Sequence, residues 1–245
     1  MSVRGKVALI TGAGTGIGKA TTERMSADGA HVIAGIIGEE ERTVASDFTQ
    51  RILDVRLQSD WDAALSDCRE QFGGIDILVN NAGLLIEGTA EETSDATWDK
   101  IFDVNLKGLF RGCRTVIPQM RQRGGGAIVN LASIDALSGA IRHLAYSASK
   151  GGVTALTRSL ATDHAKEGIR VNAVCPGTIA TPMVEKMFVD SGDAANARQL
   201  SIAKHPMGRL AVADEVARVI TFLSSNDASF ITGQSVSVDG GRSIR

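Results

Sequence analysis

Short apolar runs punctuate the chain, each stopping at a glycine or a polar cluster. They fall at residues 7–10, 32–36, 75–79, 127–131, 169–174 and 235–238, with a weaker one at 51–55. The run at 7–10 shows no polar alternation and suits a strand covered on both faces, as in a parallel sheet, and the others are read alike. Between them, residues 18–27, 61–72, 98–120, 145–164 and 214–223 carry apolar side chains at helical spacing. Strands alternating with helices imply right-handed βαβ crossovers. The predicted fold is therefore α/β: one doubly wound, Rossmann-type parallel sheet of about seven strands with helices on both faces. No linker, repeat or low-complexity tract interrupts the pattern, which reads as a single domain over 1–245. Residues 178–210 lack clear spacing and are expected to form a lid or a loop with small helices.

Composition narrows the function classes. A chain of 245 residues can bury about 70% of its open surface, enough for a core without metals or disulfides. Lys and Arg number 26 against 28 Asp and Glu, a net charge of −2. That balance argues against a basic nucleic-acid binder and against a polybasic membrane anchor. No apolar run approaches the ~18 residues of a membrane span, and the opening residues reach glycines too soon for a signal peptide. Cys68, Cys113 and Cys175 are odd in number, far apart and without a CxxC pair, which points to a reduced compartment, the cytoplasm. His31, His143, His164 and His205 lack metal-ligand spacing, so no metal site is expected.

Two places carry candidate chemistry. Thr11-Gly12-Ala13-Gly14-Thr15-Gly16-Ile17-Gly18 follows the first run and opens the first helix. A side chain at Gly12 or Gly16 would hold a pyrophosphate away from the helix N-terminus, where free N–H groups favour anions, and Gly18 lets the helix pack on the sheet. A tight strand-to-helix turn without a ligand would use the same glycines. The second place is Tyr146, the sole tyrosine, with Lys150 four residues on and so on the same helix face. A phenol near its ordinary pKa of ~10 is a poor base at neutral pH, and a neighbouring ammonium would favour the phenolate. Ser133 follows the run at 127–131, on the rim where doubly wound sheets bind ligands, and could hydrogen-bond a carbonyl or alkoxide oxygen.

In order and spacing the chain resembles the short-chain dehydrogenase/reductase family over essentially its whole length. The family's TGxxxGxG reads as Thr11-Gly12, Gly16 and Gly18, and its NNAG as Asn80-Asn81-Ala82-Gly83. Its catalytic Asn falls at Asn105, its Ser at Ser133, its YxxxK at Tyr146 and Lys150, and its PG at Pro176-Gly177. The resemblance implies an alcohol dehydrogenase or carbonyl reductase in which Tyr146 exchanges the substrate proton. Lys150 would hold the nicotinamide ribose and depress the tyrosine pKa. Ser133 would hold the substrate oxygen, and Asn105 a water linking Lys150 to solvent. It also implies that Gly12, Thr15, Gly16, Ile17 and Gly18 hold the pyrophosphate and that Asp54 and Val55 meet the adenine. Asn81, Ala82 and Gly83 would line the adenosine ribose, and Ile179 and Thr181 would fix the carboxamide. End-capping is the plainer role for Asn105 and Asn81.

Gly35 stands where such proteins usually present an acid to the adenosine ribose, followed by neutral Ile36. Glu39, Glu40 and Glu41 come next and would repel a 2′-phosphate, with Arg42 alone to counter them, so NAD is favoured over NADP on electrostatics. A solvated helix start is the alternative reading of that cluster. Arg142, His143 and Met183, or Lys186, Arg198, Lys204 and His205 in the lid-like stretch, are candidate contacts for a substrate that includes a carboxylate, against a default of solvated charge. The substrate expected is a small secondary alcohol, including hydroxy acids, or its ketone. A 3-oxoacyl carrier-protein reductase is the alternative, and a cofactor-binding regulatory protein a more distant one. Cys175 is expected to be a buried apolar residue. Gly108 and the long helices at 98–120 and 145–164 would suit the helix-mediated dimerisation, usually within tetramers, that the family shows.

Overall fold

The computed structural model describes residues 2–41 and 48–244. In chain order the elements are β1 (Val7–Thr11), α1 (Gly16–Ala27), β2 (His31–Ile36), β3 (Thr49–Ile52), α2 (Gln58–Phe72), β4 (Ile77–Asn80), α3 (Asp95–Phe102), α4 (Leu109–Gln122) and β5 (Gly126–Leu131). They continue with α5 (Asp135–Ser138), α6 (Leu144–His164), β6 (Ile169–Pro176), β7 (Ile179–Ala180), α7 (Pro182–Asp190), α8 (Ala194–Ala203), β8 (Ala211–Val212), α9 (Ala213–Ser224) and β9 (Ser235–Val238). Seven strands form one parallel sheet in the order β3-β2-β1-β4-β5-β6-β9. The two-residue strands β7 and β8 pair apart from it.

The sheet divides the core in two, which explains the continuous apolar runs. Along β1, Val7 and Leu9 face Trp61, Cys113 and Val116 of α2 and α4, while Ala8 and Ile10 face Met25, Val216 and Ile220 of α1 and α9. Both faces are dry, so neither parity can be polar. An amide relay crosses this core: Asn80 donates to Asn130 at 2.9 Å, and Asn130 donates to Thr157 at 2.9 Å, tying β4 and β5 to α6. Strand order reverses between β1 and β4, and the crevice beyond the carboxyl ends of these strands is where such sheets bind ligands.

Some boundaries differ from the expected ones. The run at 98–120 is not one helix: α3 and α4 are joined by a π-helical turn, Asp103–Gly108. A single wider turn barely disturbs the apolar spacing, so the pattern conceals it. β4 begins two residues later than its apolar run and β3 ends at Ile52. The stretch at 178–210 contains two helices, α7 and α8, the first begun by Pro182 and the second capped by the Asp193 carboxylate, which accepts from Asn196 N–H at 3.0 Å. Among the described residues no helix is long and apolar enough to cross a membrane.

Candidate active site

The ends of β1, β4, β5 and β6 open onto a cleft of about 540 Å³. Its wall at β1 is the glycine turn. Gly12 and Gly16 have φ of 61° and 55°, the left-handed region that glycine adopts freely. A Cβ on Gly12 would lie 2.9 Å from the Ala82 backbone, and one on Gly16 would lie 3.3 Å from the Thr181 methyl. The turn is therefore narrow for protein and leaves its face to a ligand. Thr15, the N-cap of α1, makes no side-chain cap bond and the first turn holds no acid, so the helix N-terminus meets the cleft with its N–H groups available. Gly18 does not line the cleft; a side chain there would strike the Gly12 carbonyl and the Asn81 amide. Its part is helix-to-turn packing.

Asn81 braces that turn from β4. Its side-chain amide donates to the carbonyls of Thr11 and Gly12 at 2.9 and 3.0 Å, and the Thr11 hydroxyl accepts from Asn81 and Ala82 N–H, each at 3.0 Å. Asn81, Ala82 and Gly83 line the cleft, as do Asp54 and Val55 beyond β3. Pro176, Gly177, Ile179, Thr181 and Met183 form the wall beyond β6. Glu41, from the acidic cluster read in the sequence, also lines it, as do Ile37, Leu53, Arg56, Lys100 and Val104, to which the motifs did not point. These come from segments that only the topology brings together. A turn that side chains would fill, a free helix N-terminus and a cleft running on to the tyrosine fit a dinucleotide.

Gly35 lies outside the cleft. A Cβ there would press on Leu53, at 3.1 Å from its methyl, and on the Ile10 carbonyl at 3.2 Å. Ile36 is buried in the core, and apolar Ile37 takes the place at the cleft edge. Arg42, the one cation set against the glutamates in the sequence, is outside the described residues.

Ser133, Tyr146 and Lys150 meet at the far end of the cleft. Lys150, buried, donates to the Leu131 carbonyl at 2.6 Å, and its Nζ lies 5.8 Å from the Tyr146 ring centre. Tyr146 keeps part of its ring accessible, yet surrounding protein desolvates the phenol and pushes its pKa up to about 12. The Asp135 charge adds to that rise and the hydrogen bond with the Ser133 hydroxyl opposes it. Burial lowers Lys150 to about 8. Desolvation is thus the leading influence on the phenol.

Asn105, in the π-helical turn, is buried and spends its amide on bracing. Its Oδ1 accepts from Leu84 N–H at 2.8 Å, and its Nδ2 donates to the Leu84 carbonyl at 2.9 Å and the Ser149 hydroxyl at 3.1 Å. Ser149 donates in turn to the Tyr146 carbonyl at 2.7 Å. A Cβ on Gly83 would sit 3.3 Å from Asn105 Oδ1 and 3.4 Å from Lys150 Nζ, so the glycine keeps a gap between the two.

Arg142 and His143, the suggested substrate contacts nearest Tyr146 in sequence, do not line the cleft. Arg142 has φ of 61° and its side chain turns to Glu92 at 2.8 Å. His143 is held by the buried Asp135 through Nδ1 at 2.8 Å. Lys186 pairs with Asp190 at 2.8 Å, and Arg198 with Glu185 at 2.5 Å. His205 is buried, accepting from Thr178 N–H at 3.1 Å. Cys175 is buried and its thiol is pushed up to about 11, which leaves it unreactive.

A family model described as enoyl-(acyl carrier protein) reductase matches residues 12–243. A 3-oxoacyl-[acyl-carrier-protein] reductase of Thermotoga maritima is 38% identical over 98% of this chain and 99% of its own. The chain is a short-chain dehydrogenase/reductase. A 3-alpha-(or 20-beta)-hydroxysteroid dehydrogenase of Mycobacterium bovis is also 38% identical, over 97% of this chain and 89% of its own length. Among solved structures, the aldohexose dehydrogenase of Thermoplasma acidophilum superposes with a TM-score of 0.93 at 37% identity, covering 99% of this chain and 95% of that one. Short-chain dehydrogenase/reductases use NAD or NADP, and this member is an oxidoreductase acting on CH–OH groups. The different substrates in those names show that membership leaves the substrate open.

Proposed function

We propose that this enzyme interconverts a small secondary alcohol and its ketone, with NAD as the preferred partner. The observation that carries the reading is the convergence of Ser133, Tyr146 and Lys150 at one end of a cleft whose other end is the glycine turn. The dinucleotide, when bound, supplies the hydride acceptor for oxidation and the hydride donor for reduction. Tyr146 takes the hydroxyl proton in oxidation and returns it in reduction. Ser133 donates a hydrogen bond to the substrate oxygen and orients it against the phenol. Lys150 holds ribose hydroxyls with the N–H bonds not spent on Leu131. Asn105 places α6 against the turn, and the gap at Gly83 suits a water joining its Oδ1 to Lys150 as a proton path. Substrate enters beside Met183, Pro182 and Val184, apolar or uncharged neighbours that favour a small, weakly polar substrate over a charged one. Three buried, unpaired cysteines suit the cytoplasm, and the exposed apolar residues of α4 and α6 suit a homodimer or homotetramer.

Tyr146→Phe tests the reading: turnover should fall by a factor on the order of 10²–10⁴ while NADH binding, read by fluorescence, stays within about twofold. Unaltered turnover would end the acid–base assignment. The carrier-protein reductase reading rests on the Thermotoga relative. It would gain only if an acetoacetyl carrier-protein substrate were turned over with a kcat/KM well above that of every small ketone in the same panel.

A further inference from the structure

The nucleotide end of the cleft lacks the acid that the end of β2 would ordinarily carry, and the structure brings a different carboxylate to the same place. Glu41 ends a short 3₁₀ turn, Glu39–Glu41, four residues beyond the cleft-edge Ile37. Its side chain doubles back: Oε2 accepts the Ile37 N–H at 3.1 Å. The carboxylate lies across Gly14, where a Cβ would fall onto Oε2 and within 2.6 Å of the Glu41 Cβ and 2.7 Å of its Cδ. Gly14 has no positive φ, and nothing in its backbone demands glycine. Its missing side chain is the seat of Glu41.

We propose that Glu41, seated on Gly14, accepts the adenosine ribose hydroxyls and thereby selects NAD(H) over NADP(H). This rests on the dinucleotide reading of the cleft. Ile37, Glu41, Leu53, Asp54 and Val55 line the same cleft as the glycine turn, so the Glu41 carboxylate borders the space that an adenosine would take. One carboxylate oxygen is spent on a backbone N–H, which fixes the group; among the described residues the other makes no hydrogen bond that would keep it from a hydroxyl donor. Hydrogen bonds to a fixed, charged acceptor are among the stronger ones. A 2′-phosphate at the same place would meet that carboxylate at close range. The nearby cation, Arg56, offers it little relief, because Asp54 already holds the guanidinium at 2.6–3.1 Å. Lys100 enters the cleft from α3, on a different element, and is the rival determinant.

Direct binding of NADH and NADPH, by fluorescence titration of the intact protein, separates these roles. Wild type should bind NADH at least about tenfold tighter than NADPH, and Glu41→Ala should weaken NADH by about tenfold while leaving NADPH unchanged or tighter. Glu41→Gln, which keeps the acceptor but not the charge, should lose less NADH affinity and gain on NADPH. Gly14→Ala should copy Glu41→Ala by displacing the same side chain, and Lys100→Ala should leave the preference in place. A wild-type preference for NADPH, or a Glu41→Ala variant whose NADH-to-NADPH ratio is unmoved, overturns the proposal while sparing the dinucleotide reading. Failure of wild type to bind either dinucleotide would overturn both.

Discussion

Tyr146 is the only tyrosine in the chain, so its ionisation can be watched without interference from another phenol. Burial and the Asp135 charge hold its pKa at about 12, above the ordinary value of ~10, which favours the neutral phenol. That is the form needed to donate a proton in ketone reduction; to accept one in alcohol oxidation the site must first be made more positive. A raised folded-state pKa also has a stability sign. The unfolded chain releases its proton first, so this residue's stabilisation is full below pH ~10 and is lost as pH climbs toward 12. In an ultraviolet pH titration of the native protein, phenolate absorbance should therefore be nearly absent at pH 10, where a free tyrosine is half ionised. Asp135→Asn removes a negative charge that raises the phenol and should bring the absorbance in at lower pH; Tyr146→Phe should show none. A midpoint at or below 10 in the wild type would mean that desolvation does not govern the phenol.

Among the elements, the glycines of α1 and α6 predict opposite outcomes for the same substitution. Gly18→Ala would drive a methyl onto the Gly12 carbonyl, which is backbone and cannot yield without moving the turn. It should cost about 1–3 kcal/mol of stability and most of the dinucleotide affinity. Gly151→Ala, in the interior of α6 with nothing near its Cβ, should instead raise stability by about 0.4–1 kcal/mol. Thermal unfolding of the two variants with and without NADH checks both signs. The strand-and-helix alternation was legible because every central strand is buried on both faces, and the turn, Ser133, Tyr146 and Lys150 were legible because they lie in local motifs. The cleft's other lining was not. Leu53, Lys100 and Val104 reach it through the topology, which spacing along one segment cannot report. Arg142 misled for the same reason: nearness in sequence to Tyr146 is undone by a left-handed residue at the start of α6 that aims it at Glu92. Gly108 was read as a dimer-facing glycine, yet a Cβ there would meet Val55 at 2.7 Å, so it packs α4 against the cleft wall.

For the whole molecule, the outer groove between α3, α4 and α6 offers a face on which assembly can be tested. Phe110 is 41% exposed there, while Gly152, Ala155 and Ser159 recur along one side of α6. Small residues at that spacing let a second helix approach closely, and a large exposed aromatic beside them supplies apolar area to bury. The groove's charges, Asp99 and Asp103 against Lys107, are mixed in sign, so a symmetric copy meets complementary groups as well as like ones. If this face joins two copies, Ala155→Arg and Phe110→Glu should each shift the mass measured by light scattering toward the monomer. Because the groove lies on the outside of the helices that brace Asn105 and carry Tyr146, the dissociated variants should retain dinucleotide binding but lose thermal stability as concentration falls. An unchanged mass in both variants would remove α4 and α6 from the interface and turn attention to the exposed Phe230 and Ile244 at the opposite end of the chain.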